Sequence, residues 1–217
     1  MTPGTIQLIV LAGIALFLIL KLRGVLGTRE GFEKPPEIIE RQPTQPQFEV
    51  IEGGVDRDIT DHVEEGSAVA NELEKMKAAN PDFSVSQFLQ GARGAYEMIL
   101  MGFEHGEIEN LKPFLSDEVF ETFSEVIENR KQQGLTIESE FIGVRETKLL
   151  DAKYKVNKKL AEITVRFIGE TTSVVYDSDG KAVQGSPNEV KQQKDSWTFA
   201  RSMTSDDPNW KLVATGE

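Results

Sequence analysis

Cysteine is absent from the chain, and histidine occurs only twice, at His62 and His105. Without a thiol there is no disulfide, no thiolate zinc site and no cysteine nucleophile. Neither histidine has a second His, Asp or Glu at a ligand or triad spacing, so no metal or cofactor is expected and nucleophilic chemistry finds no footing. His105, beside Glu104, Glu107 and Glu109, reads as a solvated helix end. No glycine-rich phosphate loop appears. Basic residues are outnumbered, 24 Lys and Arg against 36 Asp and Glu, for a net charge of −12. An acidic surface repels phosphate backbones, so no nucleic-acid partner is expected.

Charge is also missing from residues 2–20. As a helix these residues would be about 28 Å long, close to the roughly 30 Å of a bilayer's hydrocarbon. Eleven of them are Leu, Ile, Val or Phe, which together favour insertion by roughly 3–7 kcal/mol. Ile6, Leu8, Leu11, Ile14, Phe17 and Leu20 belong to the expected membrane anchor. A secretory signal peptide would carry its cations before the apolar run and small residues after it. Here Lys21, Arg23 and Arg29 all follow the run. The positive-inside rule then leaves everything from Lys21 onward in the cytoplasm, on a single-pass span.

Residues 30–58 hold Pro35, Pro36, Pro43 and Pro46 and the pair Gly53-Gly54, the composition of an extended linker. Residues 59–82 read as an amphipathic helix, with Val69, Leu73 and Met76 on one side and Asn80-Pro81 as its stop. Its apolar face is thin and needs a cover, more simply on its own domain than on another protein or the membrane.

Residues 83–217 read as an α+β domain. Ser84-Val-Ser-Gln87 is a capping-box pattern opening a helix that carries Phe88, Leu89, Ala92, Tyr96, Ile99 and Phe103. A short helical turn is expected over 107–114. Ser116-Asp117-Glu118 then caps a helix with Val119, Phe120, Phe123 and Ile127, which ends with Arg130, Lys131 and Gly134. After Gly134 the period becomes two, with strands expected over 136–144, 148–156, 160–175, 190–201 and 210–214 and a turn at Asp179-Gly180. Helices followed by a run of antiparallel strands describe helices packed on one face of a curved sheet.

Several of these positions together resemble the Tim44-like family, named for the adaptor of the mitochondrial inner-membrane presequence translocase. They are Phe88, Gly91-Ala92, Tyr96-Glu97, Gly106, Leu111, Leu115-Ser116, Val119-Phe120, Phe123, Arg130 and Gly134. Most specific are Trp197-Thr-Phe199-Ala-Arg201 and Pro208-Asn209-Trp210-Lys211-Leu212. The resemblance covers residues 83–214. It implies a cone-shaped fold of the nuclear-transport-factor-two kind, in which a bent sheet wraps a long helix and leaves an apolar pocket. It also implies a non-enzymatic, membrane-linked adaptor whose protein partners are translocon components or a DnaK-type chaperone, and whose pocket accepts lipid or apolar chains. Mitochondrial members associate peripherally with the membrane. An integral span of this chain's own points to a bacterial inner membrane.

On this reading the candidate pocket residues are Phe88, Tyr96, Ile99, Phe103, Phe120, Phe123 and Trp210. Lys153, Lys155, Lys158 and Lys159 form the candidate patch for an anionic partner, against the plainer view of a hairpin's solvated edge. An enzyme of this fold would need a carboxylate or tyrosine deep in the cone, and only Tyr96 and Glu97 sit on the central helix. Tyr96 shares the apolar face, while Glu97 is turned toward solvent. The alternative function is a secretion-system or ribosome-tethering scaffold at the same membrane. A secretion-system scaffold would need the opposite topology, and the acidic soluble part argues against contact with ribosomal RNA.

Overall fold

The computed structural model describes residues 55–216. The anchor residues Ile6, Leu8, Leu11, Ile14, Phe17 and Leu20, and the linker as far as Gly54, lie outside them.

The stretch expected as one helix from residue 59 is two. Helix α1 (Arg57–Thr60) is a single turn capped by Asp56, so the last residues assigned to the linker are already folded. Helix α2 (Ala68–Ala79) begins only after Gly66 takes a φ of +70° and Ser67 Oγ accepts the Ala70 N–H at 3.2 Å. A glycine in the left-handed region followed by a serine cap is a stop and a restart. The thin stripe of α2 is covered within the domain. Leu73 and Met76 are fully buried, and Glu72 accepts the Tyr154 N–H of the neighbouring strand at 2.7 Å.

Helix α3 (Val85–Glu104) is capped by Ser84, whose Oγ accepts the Gln87 N–H at 3.3 Å. The reciprocal half of the capping box comes from elsewhere. Asp58 of α1 accepts the N–H groups of Val85 (2.8 Å) and Ser86 (2.9 Å). The helix ends at Gly106, φ +74°, with the Glu107 N–H bonded to the Gly102 carbonyl. Helix α4 (Ile108–Leu111) and a 3₁₀ turn (Lys112–Phe114) follow, then helix α5 (Asp117–Gln132), capped by Ser116 and closed by Gly134.

Gly102 is where α3 and α4 touch. A Cβ there would lie 2.8 Å from Cδ2 of the buried Leu111, whereas at Gly91 it would meet nothing within 4 Å. Alanine relieves glycine's helical entropy cost by up to about 1 kcal/mol, and overpacking costs about 1–3 kcal/mol. Gly102→Ala should therefore destabilise the domain by about 1 kcal/mol and Gly91→Ala should stabilise it. Thermal melts of the two variants check the opposite signs.

The sheet has four antiparallel strands in the order β1 (Thr136–Lys155), β2 (Leu160–Tyr176), β3 (Ala182–Ser202), β4 (Lys211–Gly216). The expected 136–144 and 148–156 strands are one continuous β1. Its register against β2 slips at Phe141/Gly143, Val144/Glu146 and Leu149/Asp151. Each bulge bends the strand without ending it, which is how a single strand curves around the helices. Strand β3 begins at Ala182, well before the expected Val190. Its pairing jumps from Thr172↔Val190 to Ser173↔Ser186, so Pro187, Asn188 and Glu189 bulge out of the ladder. Gly185 permits the return: its φ is +79°, and a Cβ there would lie 2.1 Å from the Ser173 carbonyl oxygen.

Along β2 burial alternates residue by residue from Leu160 to Thr171. Ala161, Ile163, Val165 and Phe167 are fully buried toward the helices, and the opposite face carries cross-strand polar pairs such as Arg166–Glu146 and Thr164–Thr198. The core lies between that inner face and α2 and α3. The structure is thus α+β, with helices packed on a curved antiparallel sheet.

Candidate binding groove

At the centre of the core, the Tyr96 ring stacks on Phe167 (4.5 Å between centroids, 17° between planes) and tilts against Trp197 at 4.7 Å. Its hydroxyl donates to Asp195 at 2.6 Å. Burial first, and then Asp195, push the phenol well above its ordinary pKa, so it stays protonated. Its ring is wholly buried, and its hydroxyl is committed to Asp195. Glu97 is exposed. His62 bonds to Ser86 and His105 to the Ser139 carbonyl. Among the described residues no group of three or more His, Cys, Asp or Glu could hold a metal.

Beside this core runs a groove of about 830 Å³, between α3 and the segment from Met203 to Trp210. Phe83, Phe88, Phe199, Met203 and Trp210 supply its apolar walls, and Phe114 borders it. Trp210 lies 4.6 Å from the Phe88 ring and 5.9 Å from the Phe83 ring. Its floor is the flank of α3 bearing Gly91, Gly94, Ala95 and Met98, so the backbone itself is exposed to whatever lies there. Asp82 and Asp206 stand at the rim.

The paired tryptophan motifs have a physical reading here. Arg201, at the end of Trp-x-Phe-x-Arg, donates from Nε to the Asp207 carbonyl at 2.9 Å and from its terminal nitrogen to the Ser205 carbonyl at 3.4 Å. Asn80 Nδ2 donates to the Met203 carbonyl at 3.3 Å. These bonds hold the loop whose far end presents Trp210 to the groove.

Of the seven candidate pocket residues, Phe88 and Trp210 line this groove. Tyr96 and Ile99 are wholly buried in the helix–sheet core. Phe103 and Phe123 pair at 4.5 Å near the end of α3, with the Arg130 guanidinium 4.3 Å over Phe103. Phe120 lies under the Lys112 ammonium at 5.4 Å. The apolar arc of α3 is wider than the groove, and the sheet covers most of it. Gly91, Gly94, Met98, Phe83 and Met203 were not evident from periodicity, although two glycines at an i, i+3 spacing mark a bare helix flank. Of the lysines, Lys155 pairs with Glu162, while Lys153, Lys158 and Lys159 are exposed.

The arrangement is a curved antiparallel sheet backed by helices, with an apolar side groove and a buried tyrosine at its centre. Residues 69–217 match the Tim44-like domain, and the chain belongs to that family. The match takes in α2 as well as the domain expected from residue 83. Tim44-like proteins are translocase-associated, membrane-associated adaptors without catalytic activity. No curated protein sequence matches the chain. Among solved structures, the chain is similar to the intermembrane space region of the chloroplast protein ARC6, at 12% identity and a TM-score of 0.35 over 50% of this chain and 75% of that one. No helix among the described residues is long and apolar enough to cross a membrane.

Proposed function

We propose that this protein is a membrane-anchored, non-enzymatic adaptor that uses the α3 groove to bind an apolar segment of a protein partner at the cytoplasmic face of a bacterial inner membrane. The partner is a translocation component or a DnaK-type chaperone, and a lipid acyl chain is the groove's other occupant. The groove itself carries this reading. Its 830 Å³ fall in the usual range for ligand sites, its walls are aromatic, and its floor has no side chain at Gly91 and Gly94, where a chain can lie against the helix backbone. The span expected over residues 2–20 would hold the groove near partners that pass through the membrane and raise their effective concentration.

A photo-crosslinking residue at Met98, in the full chain in native membranes, tests this. Adducts with translocation proteins, chaperones or phospholipid are expected, and Ala95→Trp, which fills the floor, should suppress them at least tenfold. Adducts indistinguishable from those of a probe at Val183, near the start of β3 and outside the groove, would reject the reading.

A further inference from the structure

The inner face of the sheet changes character beneath the end of α3. After the fully buried Val165 and Phe167, β2 continues on that face with Gly169, Thr171 and Ser173. Strand β3 does the same, passing from Phe199 and Trp197 to Asp195, Gln193 and Lys191. Strand β1 brings Ser139 opposite Ser173, and Thr171 pairs with Lys191, so the polar positions run side by side across three strands. Leu100, Met101 and Glu104 of α3 cover them. Between helix and strands lies a second cleft, of about 670 Å³, a size usual for small-molecule sites.

An inward face is where a sheet buries apolar residues, and a polar group placed there costs free energy unless something bonds it. Asp195 is satisfied within the protein, by the Tyr96 hydroxyl at 2.6 Å and Gln193 Nε2 at 3.0 Å. That commits the Gln193 amide nitrogen and leaves its carbonyl oxygen unbonded among the described residues. Thr171 is only 8% exposed, yet its hydroxyl bonds to no described residue. No sealed side-chain oxygen or nitrogen among the described residues lacks a partner, so the Thr171 hydroxyl is reached from the cleft it lines. The Ser173 hydroxyl, also on the cleft wall, is unbonded in the same way.

The lining also says which chemistry would suit it. Lys191 and Lys194 stand with Glu104 and Asp195 around the cleft, two cations against two carboxylates. A strong anion or cation finds no net charge to hold it there. Hydroxyls both donate and accept, and the open amide oxygen accepts. The matching ligand carries groups that do both, and no charge. Leu100 and Met101 add an apolar patch for its carbon skeleton.

We propose that this cleft is a second binding site, for a neutral hydroxyl-rich small molecule of the sugar class. Thr171, Ser173 and Gln193 bond its hydroxyls, and Leu100 and Met101 lie against its carbon face. No residue lines both this cleft and the α3 groove, so the site stands whether or not the groove takes an apolar partner.

Saturation-transfer NMR on the full chain in phosphatidylcholine nanodiscs tests this, with glucose, N-acetylglucosamine and trehalose as probes and succinate and spermidine as charged competitors. At least one of the sugars should show saturable transfer to its ring protons, and neither ion should displace it. Thr171→Val combined with Ser173→Ala should weaken its binding about tenfold, roughly what one well-made hydrogen bond contributes. Ala95→Trp, which fills the floor of the α3 groove, should leave it unchanged. Thr171→Val alone should melt no lower than wild type, because the hydroxyl it removes has no partner in the protein. Transfer to none of the sugars overturns the proposal, as does displacement by succinate or spermidine. Binding that is lost in Ala95→Trp but kept in the Thr171→Val, Ser173→Ala variant belongs to the groove and overturns it too. So does a Thr171→Val variant that melts well below wild type, since the hydroxyl would then hold the fold and not a ligand.

Discussion

Truncation of Tyr96 to alanine should remove about 3–5 kcal/mol, the range for deleting a buried aromatic side chain. Against a typical total of about 5–15 kcal/mol, such a variant sits near the edge of folding. Three rings lose their partner, since Phe167, Trp197 and Phe141 all pack on Tyr96. Asp195 loses its Tyr96 bond and keeps Gln193 Nε2 at 3.0 Å. Tyr96→Phe separates the two effects. It keeps the packing and strands one lobe of the carboxylate, for about 1–3 kcal/mol. Gly169 reaches the same point from the sheet, because a Cβ there would lie 2.6 Å from the Tyr96 hydroxyl oxygen and 2.9 Å from Cε1. Gly169→Ala should cost about 1–3 kcal/mol, and the double variant Gly169→Ala with Tyr96→Phe less than the sum, because the nearer clash has gone. Urea unfolding of the four proteins closes the cycle, and simple additivity would mean that the sheet yields at Gly169. The sign with pH is also set. A phenol raised by folding contributes stability that is whole below its ordinary value, near 10, and is lost as pH rises above it. Alkaline unfolding should therefore be shallower in Tyr96→Phe.

The legible parts of this fold are the ones written locally. Ser84, Ser116, Gly106 and Gly134 fix helix ends through bonds that span a few residues, and their places follow from spacing alone. The alternation of β2 is equally plain, because its inner face is buried along most of its length. What escaped depends on distant chain. Gly66-Ser67 divides the first helical stretch by the same rules, but the apolar spacing of Val69, Leu73 and Met76 masks the break. Gly185 and Pro187 look like a loop, and become strand only because β2 supplies a partner across a bulge. The Tyr96–Asp195 bond joins residues 99 positions apart, and no periodicity reports it. The groove is the sharpest case. Spacing shows that Phe88, Tyr96, Ile99 and Phe103 share a helix face, but it cannot show which part of that face the sheet leaves open. Arg201 decides that, by pinning the 203–209 loop and setting Trp210 against Phe88.

Asp58 carries the second large effect, and it bears on how the domain joins whatever precedes it. Its carboxylate accepts the Val85 and Ser86 N–H groups and the Ser84 hydroxyl, and lies 2.8 Å from Lys77 Nζ. The two amides belong to the first turn of α3, where N–H groups have no partner within the helix and a negative charge suits the helix dipole. Asp58→Ala removes all of these at once. Single caps are worth about 0.5–2 kcal/mol and bonds to charged groups about 1.5–3 kcal/mol, but water can replace part of the loss at a partly exposed site, so about 2–3 kcal/mol is expected. Burial works to raise the Asp58 carboxyl, yet the bonds from Lys77, Ser86 and Val85 outweigh it and hold the group well below the usual carboxylate range. A carboxyl depressed by folding contributes stability present above its unfolded value, near 4, and lost as pH falls through the folded one. Wild type should thus lose stability steadily below about pH 5, and Asp58→Asn should lose less there while starting lower at neutral pH. Asp179→Asn, on the exposed β2–β3 turn, controls for the change in net charge. Hydrogen exchange at Val85 and Ser86 locates the effect at the start of α3. Equal exchange in wild type and Asp58→Ala, with a loss under about 0.5 kcal/mol, would make α1 a fringe on the domain. A full loss would make it the clasp that ties the upstream chain to the helix on which the groove is built.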